Sequence, residues 1–340
     1  MAKTEFLGYK DLEAEAAILK IVQEGKNVKI ILNRTPFYAE SGGQVADTGT
    51  ITAGNAVVKI NDVQKINDIF IHDGVLEQGQ LKEGDKVVAK VDQARRMLIK
   101  RNHSATHLLQ SALRETLGAH IKQQGSMVSP ERLRFDFAHP GAVKADELAK
   151  IESRLNQFLS ANDKVVTEVL PIEEAKKKGA LAFFAEKYGQ TVRVVSIGNY
   201  STEFCGGTHV NSTGEIEAIK ITTEGSVAQG IRRIEAITGR ESVDALKRQK
   251  EQEAKEVERL AQVRMQEKQK QNAQFEVIKN SLADVIKNTQ KVKDITVLTH
   301  CFNDIDMGML RKLNDLLKQK IASGVIVLGA KTAEDAALTV

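Results

Sequence analysis

The segment STEFCGGTHV, Ser201 to Val210, contains one of only two cysteines in the 340-residue chain. Cys205 is followed by two glycines, and His209 stands four positions after it. Glycines allow the backbone to turn tightly, so a thiol and an imidazole on either side of them can face the same point. The segment therefore indicates a site that brings a sulfur ligand and a nitrogen ligand together.

A second pair of candidate ligands lies upstream in RNHSATHLL, Arg101 to Leu109. His103 and His107 are four residues apart on a predicted helix, and this spacing places both imidazoles on one helix face. Three imidazoles and one thiolate suit Zn²⁺, which takes nitrogen and sulfur ligands tetrahedrally. The sequence thus predicts a zinc site built from His103, His107, Cys205 and His209.

Alternatives to this zinc site stay open at this point. Each histidine taken alone fits a packed core or surface position, and Cys205 alone fits a small buried apolar residue. Ser104 rather than Glu follows His103, which excludes the H-E-x-x-H arrangement of metalloproteases. Four protein ligands also allow a closed, structural zinc shell with no open position.

The composition is that of a soluble globular protein, with 41% hydrophobic and 28% charged residues. No run of about 18 apolar residues and no signal peptide is evident, and two distant cysteines do not suggest a disulfide framework. We therefore expect a cytoplasmic protein without a membrane segment. The net charge of +4 permits a polyanionic partner, whereas 4% aromatic residues and no tryptophan disfavour a broad platform for stacking bases.

The pattern along the chain predicts an α+β protein of four regions. Residues 1–93 read as short strands of a small β-barrel, and 94–240 as an α/β domain with the zinc ligands. Residues 241–292 lack glycine and proline and predict one or two long helices. Residues 293–340 predict a strand, a helix and a strand of a partial α/β module. Helices are expected over 94–118, 144–161 and 173–187, with Gly118 ending the first, and GEIEAIKITTE is expected to be a strand.

Several segments resemble the editing region of bacterial alanyl-tRNA synthetases, in the same order and over essentially the whole chain. The most specific are RTPFYAESGGQVADTG, RNHSATHLLQSALRETLG, FCGGTHVNSTGEI and GSVAQGIRRIEAITG. The resemblance implies a barrel and a zinc-binding editing domain. It also implies a helical linker and part of a C-terminal module that contacts tRNA and supports a homodimer. The ATP-dependent activation domain of the family is missing, so we do not expect this chain to make alanyl-adenylate.

The resemblance further implies hydrolysis of mischarged tRNA(Ala), with release of serine or glycine from the ester at the 3′ adenosine. A pocket for alanine cannot exclude the smaller glycine and rejects serine poorly, so a second site must correct the errors. In the family, the threonine matching Thr35 is associated with recognition of the serine hydroxyl. The alternative for Thr35 is a strand residue beside Pro36. Gln44 is expected to form hydrogen bonds near the ester. The alternative interpretation is that Gln44 is an ordinary turn residue.

Further substrate contacts are expected on the same basis. Gly42 and Gly43 would let the substrate approach the backbone closely, and Ser126 would line the site. Arg232 and Arg233 would meet tRNA phosphates, as would a basic cluster before the ligand helix. That cluster consists of Arg95, Arg96, Lys100 and Arg101. For each of these cations a solvated or salt-bridged surface position is the alternative.

Other functions remain possible from the residues. We expect a water molecule to be the nucleophile. Cys205 is the second candidate, as a covalent nucleophile, because bound zinc would occupy its thiolate. Zinc would activate the water, polarise the carbonyl or only anchor the substrate or fold. A tRNA-binding module with a structural zinc, a freestanding alanyl-tRNA editing protein and a generic metallohydrolase are the alternative classes.

Overall fold

The computed structural model describes residues 3–181, 189–321, 323–331 and 336–340. The chain divides into two compact units, Met1–Arg248 and Gln249–Val340. Both combine helices with sheets, which confirms the predicted α+β class.

Eight strands precede the first helix, and six of them close into the predicted barrel. Its strands alternate buried and exposed side chains, so that Phe70, His72 and Leu76 of one strand face the interior. The order around the barrel is β2-β3-β7-β6-β5-β8, while β1 and β4 form a separate parallel pair. The strands are β1 Glu5–Phe6, β2 Glu13–Glu24, β3 Asn27–Leu32, β4 Arg34–Thr35, β5 Gly49–Ala53, β6 Ala56–Ile66, β7 Ile69–Gln78 and β8 Lys86–Val91.

The ligand helix α1, Gln93–Leu117, follows the barrel directly. The side chain of Asp92 caps its first turn by accepting a hydrogen bond from the backbone N–H of Arg95. The N–H of Gly118 bonds the carbonyl of Arg114 at the other end, as the predicted stop requires. One face of the helix packs into a core through residues such as Leu108, and that burial fixes the direction of the two histidines.

Two antiparallel sheets and two further helices complete the first unit. The four-stranded sheet has the order β14-β15-β10-β9, and the three-stranded sheet the order β11-β12-β13. Helices α1 and α2 share one apolar core with the four-stranded sheet. The elements are β9 Gln123–Val128, β10 Leu133–Ala138, α2 Ala145–Ala161, β11 Val165–Pro171, α3 Ile172–Lys177, β12 Thr191–Ile197, β13 Ser201–Phe204, β14 Ile219–Ala228 and β15 Ile231–Thr238.

Three predicted elements differ from those found, and one of them is the helical region 241–292, which ends at Lys287 and is followed by a strand at Gln290–Val292. The segment GEIEAIKITTE is not extended throughout, because a 3₁₀ turn occupies Thr213–Ile216 and Glu217 has a φ of 68°, so the strand starts only at Ile219. The helix expected over 173–187 ends at Lys177, where Gly179 adopts a φ of 76°. Its expected part from 182 to 187 lies outside the described residues.

The turn at Gly42 and Gly43 is fixed against the edge of β9. The N–H of Val128 donates to the carbonyl of Gly43 at 2.7 Å, and the N–H of Val45 donates to the carbonyl of Val128 at 3.0 Å. These two bonds attach the turn, and Gln44 with it, to β9.

The second unit contains most of α4, Arg240–Lys287, which is one helix rather than two. A sheet of order β16-β17-β18-β19 follows. Its core joins sheet residues such as Leu298 and Leu328 to Leu310 and Leu313 of α5. Its further elements are β16 Gln290–Val292, β17 Ile295–Asn303, α5 Met307–Lys320, β18 Val325–Lys331 and β19 Ala336–Thr339. Among the described residues, no helix combines the length and apolarity needed to cross a membrane.

Candidate metal centre

The four predicted ligands meet in one place. One ligand atom from each of them lies within 4.8 Å of the corresponding atoms of the others. The Sγ atom of Cys205 is 3.4 Å from Nε2 of His103 and 3.3 Å from Nε2 of His209. Tetrahedral zinc with ordinary bond lengths places sulfur and nitrogen ligands about 3.6 Å apart. The donor set and its spacing therefore fit Zn²⁺.

Each of the three imidazoles also has a polar partner at Nδ1, which leaves Nε2 for the metal. The pairs are His103 Nδ1 with Gln44 Oε1 at 2.7 Å, His107 Nδ1 with Glu203 Oε2 at 2.6 Å, and His209 Nδ1 with Ser104 Oγ at 3.0 Å. Carbonyl and carboxylate oxygens only accept, so the first two contacts fix which ring nitrogen carries the proton. Metal-binding histidines are held in this way in known sites, which strengthens the assignment of a metal centre.

The loop that carries Cys205 is closed by two side chains from outside it. Arg193 donates from Nη1 to the carbonyls of Cys205 and Gly207 at 2.7 and 2.8 Å. The Tyr9 hydroxyl donates to the carbonyl of Gly206 at 2.7 Å, and the Arg193 guanidinium lies over the Tyr9 ring. These bonds satisfy three successive backbone carbonyls and hold the thiol towards the imidazoles.

Gly207 is required by the packing of His103. A Cβ atom on Gly207 would lie 2.0 Å from Cε1 of the His103 ring, whereas one on Gly206 would meet only the Tyr9 hydroxyl at 4.0 Å. The second glycine of the pair therefore makes room for a ligand, and the first does not.

The electrostatics of the cluster favour a thiolate at Cys205. Burial raises the pKa of the Cys205 thiol, but the three neighbouring imidazoles lower it more, so the net pKa is well below the usual value. Burial lowers the pKa of His209 to about 3, which keeps this ring neutral. Burial also lowers the pKa of His107, but Glu203 and Cys205 outweigh it and raise the pKa well above 6.5. The site thus holds a thiolate beside the neutral ring of His209, and metal binding at His107 would displace a proton.

A cavity of about 280 Å³ opens beside these ligands. Its walls include three of the ligands and several polar side chains from α1 and β9. From α1 these are Thr106 and Gln110 and from β9 Gln123 and Ser126, and the wall also contains Gly42 and Glu203. The cavity is large enough for a small polar group such as an amino acid, and the cluster forms one of its walls.

Comparison with known proteins gives the relatives of the chain. Residues 1–95 match the family described as tRNA synthetases class II (A), and residues 192–235 match the threonyl and alanyl tRNA synthetase second additional domain. The alanine–tRNA ligases of Acetivibrio thermocellus and Pelotomaculum thermopropionicum are each 43% identical to it, over 96% and 97% of the chain.

The chain belongs to the alanyl-tRNA synthetase family. It spans 40% of the length of each of these two relatives. The second additional domain includes Cys205 and His209, so two of the four candidate ligands lie within this family match.

The structure brings some of the residues expected from the alanyl-tRNA synthetase resemblance to the cavity. Gly42 and Ser126 line it, and Gly43 packs so closely that an added Cβ would lie 2.5 Å from the Ser126 carbonyl. Gln44 is fully buried and contacts His103 rather than the cavity. It is therefore placed to orient a ligand rather than to touch a substrate.

Thr35 lies away from the cavity lining. Its side chain is 0% exposed, and its hydroxyl lies 2.7 Å from Nε2 of His72. The same oxygen accepts a hydrogen bond from the N–H of Phe37. Nδ1 of His72 lies 3.0 Å from the carbonyl oxygen of Ile30 and donates to it. Nε2 therefore carries no proton and accepts the hydrogen bond that the Thr35 hydroxyl donates. The hydroxyl of Thr35 thus has its proton and one lone pair engaged inside the fold.

The expected phosphate contacts have partners within the protein. Arg232 donates to Glu224, and Arg233 forms a bidentate pair with Asp136 at 2.7 and 2.9 Å. The expectation for Arg96 is wrong, because this side chain is 1% exposed and forms a buried ion pair with Asp47. Of the same cluster, Arg101 pairs with Glu217 and Lys100 is half-buried.

Three functional candidates were missed by the sequence analysis. Glu203 stands two residues before Cys205, and Ser104 directly follows His103. Gln110 continues the spacing of His103 and His107 by three residues, on the same helix face. That spacing was a usable signal for Gln110, whereas the contacts of Glu203 and Ser104 depend on the tertiary fold.

Proposed function

We propose that this chain hydrolyses the ester of misacylated tRNA(Ala) and releases serine or glycine. The observation that carries the proposal is the buried cluster of three histidines and one cysteine that forms a wall of the cavity. Two of its four ligands, Cys205 and His209, lie in the segment that matches the second additional domain of threonyl and alanyl tRNA synthetases, and this supports the same conclusion. The proposed partner is tRNA(Ala), and the proposed compartment is the cytoplasm.

The donor set indicates zinc, held by His103, His107, Cys205 and His209. When bound, the ion supplies positive charge beside the ester. Gln44 and Glu203 hold two of the imidazoles in the orientation that this binding needs. Cys205 is a ligand in this account, so its thiolate is not the nucleophile.

The reaction proposed for the cavity is a hydrolysis. The oxygen of a water molecule bonds to the ester carbonyl carbon, and the bond from that carbon to the 3′ oxygen of the terminal adenosine breaks. One proton of the water passes to the 3′ oxygen, and the products are the free amino acid and tRNA. Ser126, whose Oγ accepts from Gln123 at 3.0 Å, keeps its own proton free to donate towards the substrate.

Contacts to the rest of the tRNA are part of the proposal. For Arg232 and Arg233 a phosphate would have to displace the carboxylates that they now bind. Such exchange is favoured at low salt, where counterion release is largest. A homodimer formed through residues 293–340 stays a prediction from the resemblance.

A closed shell of four protein ligands is also typical of structural zinc. This observation favours a second candidate, a tRNA-binding module whose zinc only holds the fold. Both candidates include bound zinc, so only turnover separates them.

The deciding experiment is a time course of amino acid release from Ser-tRNA(Ala), Gly-tRNA(Ala) and Ala-tRNA(Ala). We expect fast release of serine and glycine, slow release of alanine, and loss of bound zinc and release together in Cys205→Ala. Cys301→Ala is the matched control, because Cys301 is exposed on β17 of the second unit. Tight tRNA binding without release would favour the binding module, and full release by metal-free protein would contradict the zinc centre.

A further inference from the structure

Gln110 has a buried polar atom without a partner. The residue is 2% exposed, and among the described residues its Oε1 has no hydrogen-bond partner. A buried acceptor left in this state destabilises the fold, so each such atom calls for an explanation, and a bound ligand is one.

The orientation of the amide is fixed by its other end. Nε2 of Gln110 donates to a carboxylate oxygen of Glu203 at 3.3 Å. Rotating the amide by half a turn would place its oxygen against that carboxylate, which is repulsive. Oε1 is therefore the free atom, and it can only accept a hydrogen bond.

The side chain that carries this oxygen lies in the wall of the cavity beside the metal centre. Gln110 lies one helical turn beyond His107 on α1 and is part of the cavity wall, as Glu203 is. A small ligand beside the cysteine and histidines thus shares the cavity with a neutral acceptor and a carboxylate.

Building on the proposed function, we infer that Gln110 is a specificity-determining residue that accepts a hydrogen bond from the hydroxyl of a misplaced serine. The free acceptor gains its missing bond only when the bound amino acid carries a hydroxyl, as serine does and alanine and glycine do not. The ammonium group common to all three suits the carboxylate of Glu203 better than a neutral amide. Thr35 does not reach the hydroxyl, because its side chain is fully buried and lies outside the cavity wall.

The test uses non-hydrolysable amide analogues, in which seryl, glycyl or alanyl is joined to the 3′ amino group of 3′-amino-3′-deoxyadenosine. Their dissociation constants are measured on the full chain, so the result does not depend on turnover. We expect the wild-type protein to bind the seryl analogue more tightly than the other two. In Gln110→Met, a neutral hydrogen bond is lost, so binding of the seryl analogue should weaken about three- to tenfold while the other two change little.

Gln110→Met also removes the hydrogen bond that Gln110 donates to Glu203, and Ser201→Ala is the control for this loss. Ser201 also donates to Glu203, at 2.8 Å, but does not belong to this cavity wall. This variant should therefore alter the three analogues equally, and zinc content should be measured for both variants. An equal effect of Gln110→Met on all three analogues, or no effect, would overturn the inference. Selective loss of the seryl analogue in a chain without deacylation would support it while contradicting the proposed hydrolysis.

Discussion

The amide oxygen of Gln44 lies 2.7 Å from Nδ1 of His103, and both side chains are buried. The same oxygen accepts the backbone N–H of Thr208 at 2.9 Å. One side chain from the turn between β4 and β5 therefore joins the ligand helix to the loop between Cys205 and His209. This contact makes the barrel segment part of the metal centre.

Replacing Gln44 should weaken metal binding without removing a ligand. Gln44→Met loses the acceptor for both His103 and Thr208, and loss of such a supporting bond weakens metal affinity about 10- to 100-fold. Gln44→Glu keeps an acceptor and should lose less. Competition for zinc against a chelator of known affinity measures this, and equal affinities for wild type and Gln44→Met would contradict the role.

The glycine pair should respond unequally to the same substitution. Gly207→Ala places a Cβ 2.0 Å from the His103 ring, so the ring must move and zinc affinity should fall at least tenfold. Gly206→Ala is the matched control and should stay near wild type, since its Cβ meets nothing closer than 4.0 Å. Competition for zinc against the same chelator measures the zinc affinity of both variants. Similar losses in both variants would show that loop flexibility, and not the contact with His103, is what the site needs.

Thr35 should matter for stability more than for serine recognition. Thr35→Val leaves Nε2 of the buried His72 without its donor, which should lower the free energy of unfolding by about 1–3 kcal/mol. The ratio of serine to glycine release should stay unchanged, and Thr35→Ser, which keeps the hydroxyl, should be closer to wild type in stability. Denaturant unfolding and the two release rates measure this. A selective loss of serine release in Thr35→Val would instead assign serine recognition to Thr35.

His72 should make the stability of the first unit sensitive to acid. Burial lowers the pKa of His72 to about 4, against about 6.5 in the unfolded chain. Because the unfolded state binds the proton more readily, this contribution is complete above pH 6.5 and is lost as the pH falls towards 4. Between pH 7.5 and pH 5 the loss should be about 2 kcal/mol. Unfolding with a chelator present at both pH values, compared with His72→Gln, measures it, and an equal pH dependence in the variant would contradict this assignment.

The sequence was sufficient for the parts of the site that depend on local geometry. Four-residue spacing on a helix and a glycine pair beside a cysteine predicted His103, His107, Cys205 and His209, because each pair is organised within its own segment. The barrel and the ligand helix followed in the same way from strand and helix periodicity.

The supporting contacts could not be predicted, because they join residues far apart in the chain. Gln44 and His103 are 59 positions apart, and His107 and Glu203 are 96 apart. The same limit explains the error at Arg96, whose partner Asp47 is 49 positions away and takes up the charge that was expected to meet phosphate. A residue type suggests a chemistry, but its partner decides whether the group is free to perform it.

The central claim is that three imidazoles and one thiolate of this chain form one zinc centre. X-ray absorption at the zinc edge of the zinc-loaded protein tests it most directly. The account predicts one sulfur at about 2.3 Å and three nitrogens at about 2.0–2.1 Å, with the sulfur missing in Cys205→Ala. A shell without sulfur in the wild-type protein, or an unchanged sulfur shell in the variant, would contradict it.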